Sequence, residues 1–457
     1  MEKLIIIFLI LIIFISCEPK KDKPVLEGSW KGELRLGDSV IPLVFNISRN
    51  DQDELTGTMD SPDQKVFGIP LDQITVENKS IKLNLSSINA SFSGSFNSEG
   101  QLDGTWEQNG KSLPMILNKL DGPIDYSKPQ DPKEPYPYNS IDISFENTDA
   151  GITLAGTLTY PEGNGPFPAL VLVTGSGPQD RDEKILGHRP FLVLSDYLTR
   201  LGIAVLRFDD RGIGESEGDF TTATTMDFTL DAQAAVEYLV SQEYTAVGNM
   251  GILGHSEGGY IAPMVADMNE EIDFIILMAG PGIIGSEVIL TQTKAIMQAQ
   301  GVSEEVIEQA ININKNVYSI INKEEDLELV SDQIMDIFLS AGMSEDAAKS
   351  QLPGLLTPWF LYFISYNPAP VLERTTIPVL AINGTLDLQV LYRENLGAIE
   401  EALIKAGNTN FTIKEFQGLN HLFQKAETGL MEEYGKIEVT IEPEVLEYIG
   451  DWIQNIN

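Results

Sequence analysis

At 457 residues and 42% hydrophobic content, the chain is longer than one ordinary domain and apolar enough to fold, so two or three units with their own cores are expected. Its 68 acidic and 30 basic side chains leave a formal net charge of -38, spread along the chain, which argues against nucleic acid or an anionic membrane surface as a partner. A single cysteine, Cys17, rules out an internal disulfide and leaves no thiolate cluster for a metal.

The N-terminus opens with a short basic start, Met1 to Lys3, and an apolar run from Leu4 to Ile15, followed at once by Ser16 and Cys17. A run of about a dozen residues is too short to cross a bilayer comfortably. It resembles a bacterial lipoprotein signal in which Cys17 becomes the lipidated first residue, although Phe14 and Ile15 depart from the commonest pattern before such a cysteine. An ordinary signal peptide or anchor is the alternative, and either form exports the protein. The expectation is a signal over residues 1–17, a charged tether over 18–27, and a periplasmic or cell-surface lipoprotein that meets the membrane only through Cys17.

Residues 28–122 read as an all-β domain, with alternating runs such as Ile41 to Ile47 and Ser80 to Leu85 between turn formers at Glu99-Gly100, Asp103-Gly104 and Asp121-Gly122. Trp30 and Trp106, each close to glycine, are expected on the first and last strands of a small barrel or half-barrel, as core residues rather than a binding groove. Residues 123–138 hold Pro123, Pro129, Pro132, Pro135 and Pro137 and are expected to be an extended linker.

From 139 to 457 the pattern becomes α/β. An antiparallel pair, Ile141 to Phe145 and Ile152 to Tyr160, precedes nearly continuous apolar runs at Ala169 to Val173, Ile203 to Phe208, Met250 to Leu253, Phe274 to Met278 and Pro378 to Ile382. Strands buried on both faces of a mostly parallel sheet have this texture, and helical spacing at Phe191 to Leu201, Met226 to Gln242 and Tyr260 to Met268 supplies the crossovers. Residues 283–370 carry helical spacing without a strand-like run and are expected to form a lid; its aromatic end, with Trp359 and Tyr362, either lines a substrate pocket or packs the lid onto the body.

Gly254-His255-Ser256-Glu257-Gly258-Gly259 sits between an apolar strand and a helix, the setting of a nucleophile elbow, with Ser256 as nucleophile at a helix N-terminus. A serine hydroxyl needs a base held by an acid. Of the three histidines, His255 lies inside the elbow facing away and His188 lies upstream, which leaves His421, on a loop after the run Phe411 to Phe416. Asp387, in the glycine-containing loop after the strand ending at Ile382, is the expected acid, and the order Ser, Asp, His is that of the α/β-hydrolase arrangement. The backbone N–H groups of Glu257 and Ser176 are expected to form the oxyanion hole. Asp180, beside that loop, is a candidate substrate contact, whereas the segment Asp209-Asp210-Arg211-Gly212 is expected to be a turn hydrogen-bonded by Asp209 and Arg211 rather than a metal site. No metal or other cofactor is expected.

The segments Thr174 to Asp182, Arg207 to Ser216 and Gly254 to Gly259 together resemble a branch of bacterial α/β-hydrolase esterases related to the serine aminopeptidase-like hydrolases. The resemblance covers residues from Ile141 to Asn457 and implies carboxylester hydrolysis through an acyl-enzyme, with Ser256, Asp387 and His421 in the roles above. It also extends to the N-terminal β unit, which looks like the accessory domain of some such esterases. Commoner relatives carry His-Gly where this chain has Thr174-Gly175. The leading expectation is an exported serine carboxylesterase for small acyl or aryl esters, such as acetylated or feruloylated carbohydrate. A serine peptidase of the aminopeptidase-like group, and a non-catalytic ligand-binding lipoprotein, are the alternatives.

Overall fold

The computed structural model describes residues 26–456 apart from 38, 51–52, 65, 78, 123–126, 243–248 and 324–325. Cys17 and the apolar run before it, along with most of the expected tether, lie outside the described residues. The chain divides into two compact units, Met1–Asp125 and Tyr126–Asn457. No helix among the described residues is long and apolar enough to cross a membrane.

The first unit is an antiparallel sheet of nine strands: β1 Gly28–Leu36, β2 Ser39–Arg49, β3 Leu55–Ser61, β4 Val66–Pro70, β5 Gln73–Glu77, β6 Ser80–Leu85, β7 Ala90–Phe96, β8 Leu102–Gln108 and β9 Lys111–Lys119. Period-two alternation fills its interior, as in β6, where Ile81, Leu83 and Leu85 point inward between exposed or partly exposed neighbours. The spatial order β4-β3-β2-β1-β9-β8-β7-β6-β5 corrects one expectation. Trp106 lies on β8, not on the last strand; the first and last strands, β1 and β9, meet in the middle of the sheet, and β4 and β5 form its ends. Both tryptophans are core residues, Trp30 donating its indole N–H to the Leu26 carbonyl at 2.7 Å and Trp106 packing edge-on against Phe45.

A second correction concerns the proline-rich segment, which from Lys128 onward is not a free connector. Lys128 Nζ donates to the carbonyls of Gly435 and Ile437 at 3.3 and 2.8 Å, and the buried Asp131 carboxylate receives Arg189 at 2.6 Å. Polar anchors therefore tie these residues to the second unit before its sheet begins.

That sheet runs β10-β11-β13-β12-β14-β15-β16-β17, with β10 Asn139–Asn147, β11 Ile152–Tyr160, β12 Ala169–Val173, β13 Ala204–Phe208, β14 Met250–His255, β15 Phe274–Met278, β16 Val379–Gly384 and β17 Phe411–Phe416. β12 to β17 are parallel, and β10 and β11 pair antiparallel at one edge. Every residue of β12, β13, β14, β15 and β16 is buried, because helices cover both faces. Helices α1 Pro190–Arg200 and α12 Pro443–Gln454 pack on one face through Phe191, Leu194, Val445 and Ile449. Helices α2 Thr225–Val240, α3 Gly258–Met268 and α10 Tyr392–Lys405 pack on the other through Ala235, Val236, Ile261 and Ile399. This is an α/β-hydrolase fold. The chain reverses direction across the sheet at β12, which lies between β13 and β14, and a crevice opens at the carboxyl ends of such neighbouring strands.

Between β15 and β16 the chain leaves the sheet for α4 Gly285–Ala299, α5 Glu304–Ile321, α6 Leu327–Ser340, α7 Glu345–Leu355, α8 Pro358–Ser365 and α9 Ala369–Leu372. This helical insertion has its own core, including Tyr318, Val330, Ile334, Phe338 and Phe363, and it rests on Tyr260 of α3. The short helix α11 Met431–Tyr434 precedes α12.

Candidate active site

Ser256 follows β14 directly and has φ of 53°, a left-handed conformation that a non-glycine residue holds only when its surroundings enforce it. The glycines around it explain how. A Cβ on Gly254 would strike the Gly258 carbonyl, one on Gly258 the Val173 carbonyl, and one on Gly259 the Gly280 backbone. The turn is therefore compressed between β12, β15 and its own helix, and the Ser256 amide is tied to the Met278 carbonyl at 3.0 Å. Ser256 itself is partly accessible, at the entry to α3.

Asp387 and His421 come from loops after β16 and β17, which are adjacent parallel strands. The two loops are stapled together: Leu386 N donates to the Leu419 carbonyl at 2.9 Å, and Gly418 N to the Thr385 hydroxyl at 2.8 Å. His421 Nδ1 lies 2.8 Å from Asp387 Oδ2, while Asp387 Oδ1 accepts the amides of Gln389 and Val390 at 2.8 and 2.9 Å. Both side chains are buried. With Nδ1 donating to the carboxylate, the free ring nitrogen of His421 is Nε2, the one able to accept a proton.

The other two histidines are engaged elsewhere. His188 Nδ1 contacts the Thr440 hydroxyl at 3.0 Å and Nε2 the Tyr434 carbonyl at 2.9 Å. His255 turns away from the elbow surface, with Nδ1 at 2.7 Å from Glu183 Oε1 and Nε2 at 3.0 Å from the His421 carbonyl. Burial alone would lower the pKa of His255; the charge of Glu183 and its hydrogen bond overcome that and raise it.

The loop after β12 passes under Ser256. Gly175 N donates to Glu183 Oε1 at 2.9 Å, and a Cβ on Gly175 would come within 3.0 Å of the Ser256 Cβ, so only glycine fits without displacement. The amides of Ser176 and Glu257 have no hydrogen-bond acceptor among the described residues. Three buried acids that the sequence did not distinguish surround this loop. Glu183 supports its backbone. Asp210 accepts the Thr174 hydroxyl at 2.8 Å and the Gln179 amide at 2.9 Å, and burial pushes its carboxyl up to about 8, with Glu257 and Glu183 adding to the rise. Glu257 turns its side chain inward to accept the Thr225 hydroxyl at 2.7 Å and the Trp359 indole N–H at 2.9 Å; burial raises its pKa against these bonds. Nothing in the local sequence marks these three carboxylates for burial.

Trp359 thus reaches from α8 to the residue after Ser256, and Tyr362, also half-buried, stacks on Tyr366 with centroids 5.9 Å apart. Asp180, by contrast, accepts the amides of Asp182 and Lys184 at 3.1 Å through Oδ1, so that oxygen shapes its own loop. Asp209 pairs with Arg181 at 2.6 Å and Arg211 with Asp231 at 2.6 Å, an internal brace. Among the described residues no group of three or more His, Cys, Asp or Glu side chains could hold a metal ion.

The chain is similar to several known proteins. The family model described as serine aminopeptidase, S33, matches residues 190–350. Esterase EstD of Thermotoga maritima is 30% identical over 312 residues, covering 68% of each chain. Among solved structures, a Pyrococcus furiosus esterase is 16% identical with a TM-score of 0.44, covering 72% of this chain and 97% of that one. The α/β-hydrolase GrgF of a Penicillium species is 16% identical with a TM-score of 0.43, covering 70% and 99%. On the extent of its identity with EstD, the chain belongs to the α/β-hydrolase esterases related to the serine aminopeptidase-like hydrolases, with an all-β domain preceding the hydrolase unit.

Proposed function

We propose that the protein is a serine carboxylesterase that cleaves small acyl or aryl esters through an acyl-enzyme. Ser256 Oγ attacks the ester carbonyl carbon while its proton passes to His421 Nε2. The N–H groups of Ser176 and Glu257 receive the negative oxygen of the tetrahedral intermediate. Collapse breaks the bond to the alcohol oxygen, which leaves with the proton from His421, and the acyl group stays on Ser256. Water then attacks the acyl carbon with His421 again as base, releasing the acid and restoring the serine.

The observation that carries this reading is the buried 2.8 Å contact between His421 Nδ1 and Asp387 Oδ2, which leaves Nε2 as the free base on a loop beside the elbow. Hydrolysis of p-nitrophenyl acetate, set against aminoacyl-nitroanilides, tests it together with the S256A variant. The ester should be the better substrate and S256A inactive; full turnover by S256A would overturn the assignment, and preference for the nitroanilides would favour a peptidase. On the sequence from Met1 to Cys17 alone, we also propose that the enzyme is exported and tethered through a lipidated Cys17.

A further inference from the structure

Behind the candidate nucleophile, Glu183 and His255 form a buried pair that the chemistry above does not use; they are only 3% and 4% exposed. The pair touches each of the three segments that must be in register for ester hydrolysis. Glu183 Oε1 accepts the Gly175 amide of the oxyanion loop at 2.9 Å and faces His255 Nδ1 of the elbow at 2.7 Å. His255 Nε2 donates to the backbone carbonyl of His421 at 3.0 Å, and the two imidazole rings lie 4.8 Å apart. By drawing the Gly175 N–H inward, Glu183 fixes the Thr174–Gly175 peptide, one residue ahead of the Ser176 amide. By holding the His421 carbonyl, His255 fixes the backbone that carries the base.

The arrangement is costly for the fold. Glu183 sits at φ of 52°, in the left-handed region, and its second carboxylate oxygen is buried with no hydrogen-bond partner among the described residues. Buried ion pairs are a weak source of stability, because desolvation offsets their attraction. A strained, half-satisfied carboxylate that joins three catalytic segments is better explained by geometry than by stability.

We propose that Glu183 and His255 are positioning residues for ester hydrolysis, holding the Ser176 amide and the His421 base in register with Ser256. The proposal rests on the triad reading given above. It predicts a loss in kcat with KM preserved, because the pair makes no contact of its own with the ester.

The test uses the full chain, with E183Q, H255Q and the double variant. A fluorophosphonate probe counts reactive Ser256 sites, and p-nitrophenyl acetate turnover is expressed per reactive site. Each single variant should lose kcat by about 100-fold, the scale of a small misplacement of reacting groups, with KM held within about threefold. The double variant should lose less than the product of the two single losses, since both break the contact between Glu183 and His255. Unchanged kcat per reactive site in both single variants would overturn the proposal, including where only thermal stability fell. If one variant fails to fold, the other carries the test. Wild type that neither reacts with the probe nor loses turnover in S256A would overturn the triad reading itself, whereas a labelled, active wild type with unimpaired E183Q and H255Q would overturn the positioning role alone.

Discussion

Replacing Asp210 with asparagine should change how stability depends on pH. Burial pushes this carboxyl up to about 8 in the folded protein, from about 3.9 in an unfolded chain. A raised carboxyl pKa means that the folded state prefers the protonated form, so the group's contribution is complete below about pH 4 and is lost as pH rises through about 8. Between pH 5 and 7 the unfolded chain has released this proton and the folded one retains it. The loss is then about 1.4 kcal/mol per pH unit, or about 3 kcal/mol across the interval. The D210N variant is neutral throughout and keeps both bonds: its carbonyl oxygen accepts the Gln179 amide and its amide donates to the Thr174 hydroxyl, reversing that bond. Denaturant unfolding of both proteins at pH 5, 6, 7 and 8, monitored on the hydrolase unit, gives the difference directly, and shared groups largely cancel. D210N should gain on wild type by about 3 kcal/mol from pH 5 to 7, with the gain levelling off above pH 8. A constant difference across this range would mean that Asp210 is ionised in the folded state, and the reasoning would fail.

Three further outcomes are expected. D387N should lower kcat for p-nitrophenyl acetate by about 10⁴-fold with little change in KM, because the amide no longer enforces the His421 tautomer with Nε2 free; a loss below tenfold would remove Asp387 from its proposed role. W359F deletes the indole N–H that reaches Glu257 at 2.9 Å and should weaken the seating of α8 by about 1–3 kcal/mol, read as faster amide hydrogen exchange over residues 358–365. Unaltered exchange there would show that the bond does not hold α8. C17S should move the protein from membrane to soluble fractions and abolish incorporation of labelled palmitate, and continued incorporation would refute the anchor.

The central sheet was legible because strands buried on both faces must be apolar throughout; Ala169 to Val173 and Phe274 to Met278 appear in the structure with the bounds expected from sequence. The locations of Ser256, Asp387 and His421 at strand ends were readable for the same reason, helped by a chain with only three histidines. Long-range pairing was not. The meeting of β1 with β9 and the contact of Lys128 with Ile437 join residues far apart in sequence, and no local pattern encodes either. The inward carboxylates of Glu183, Asp210 and Glu257 were equally hidden. Each is tolerated only because specific donors meet it, and those donors come from other segments.

The helical insertion leaves the sheet after β15 and returns at β16, and those strands are hydrogen-bonded neighbours. Because these strands are parallel, a single crossover helix could join the same two points without altering the order of the strands. Exchange of this segment between related enzymes is therefore a topologically simple operation, and specificity could diversify while the elbow and the Asp387 and His421 loops stay unchanged. Two seams would have to be matched in any such graft: the Tyr260 hydroxyl on the Ile283 carbonyl and the indole of Trp359 on Glu257. A chimera that preserves these seams should fold with the sheet intact and differ from its parent in the esters it accepts.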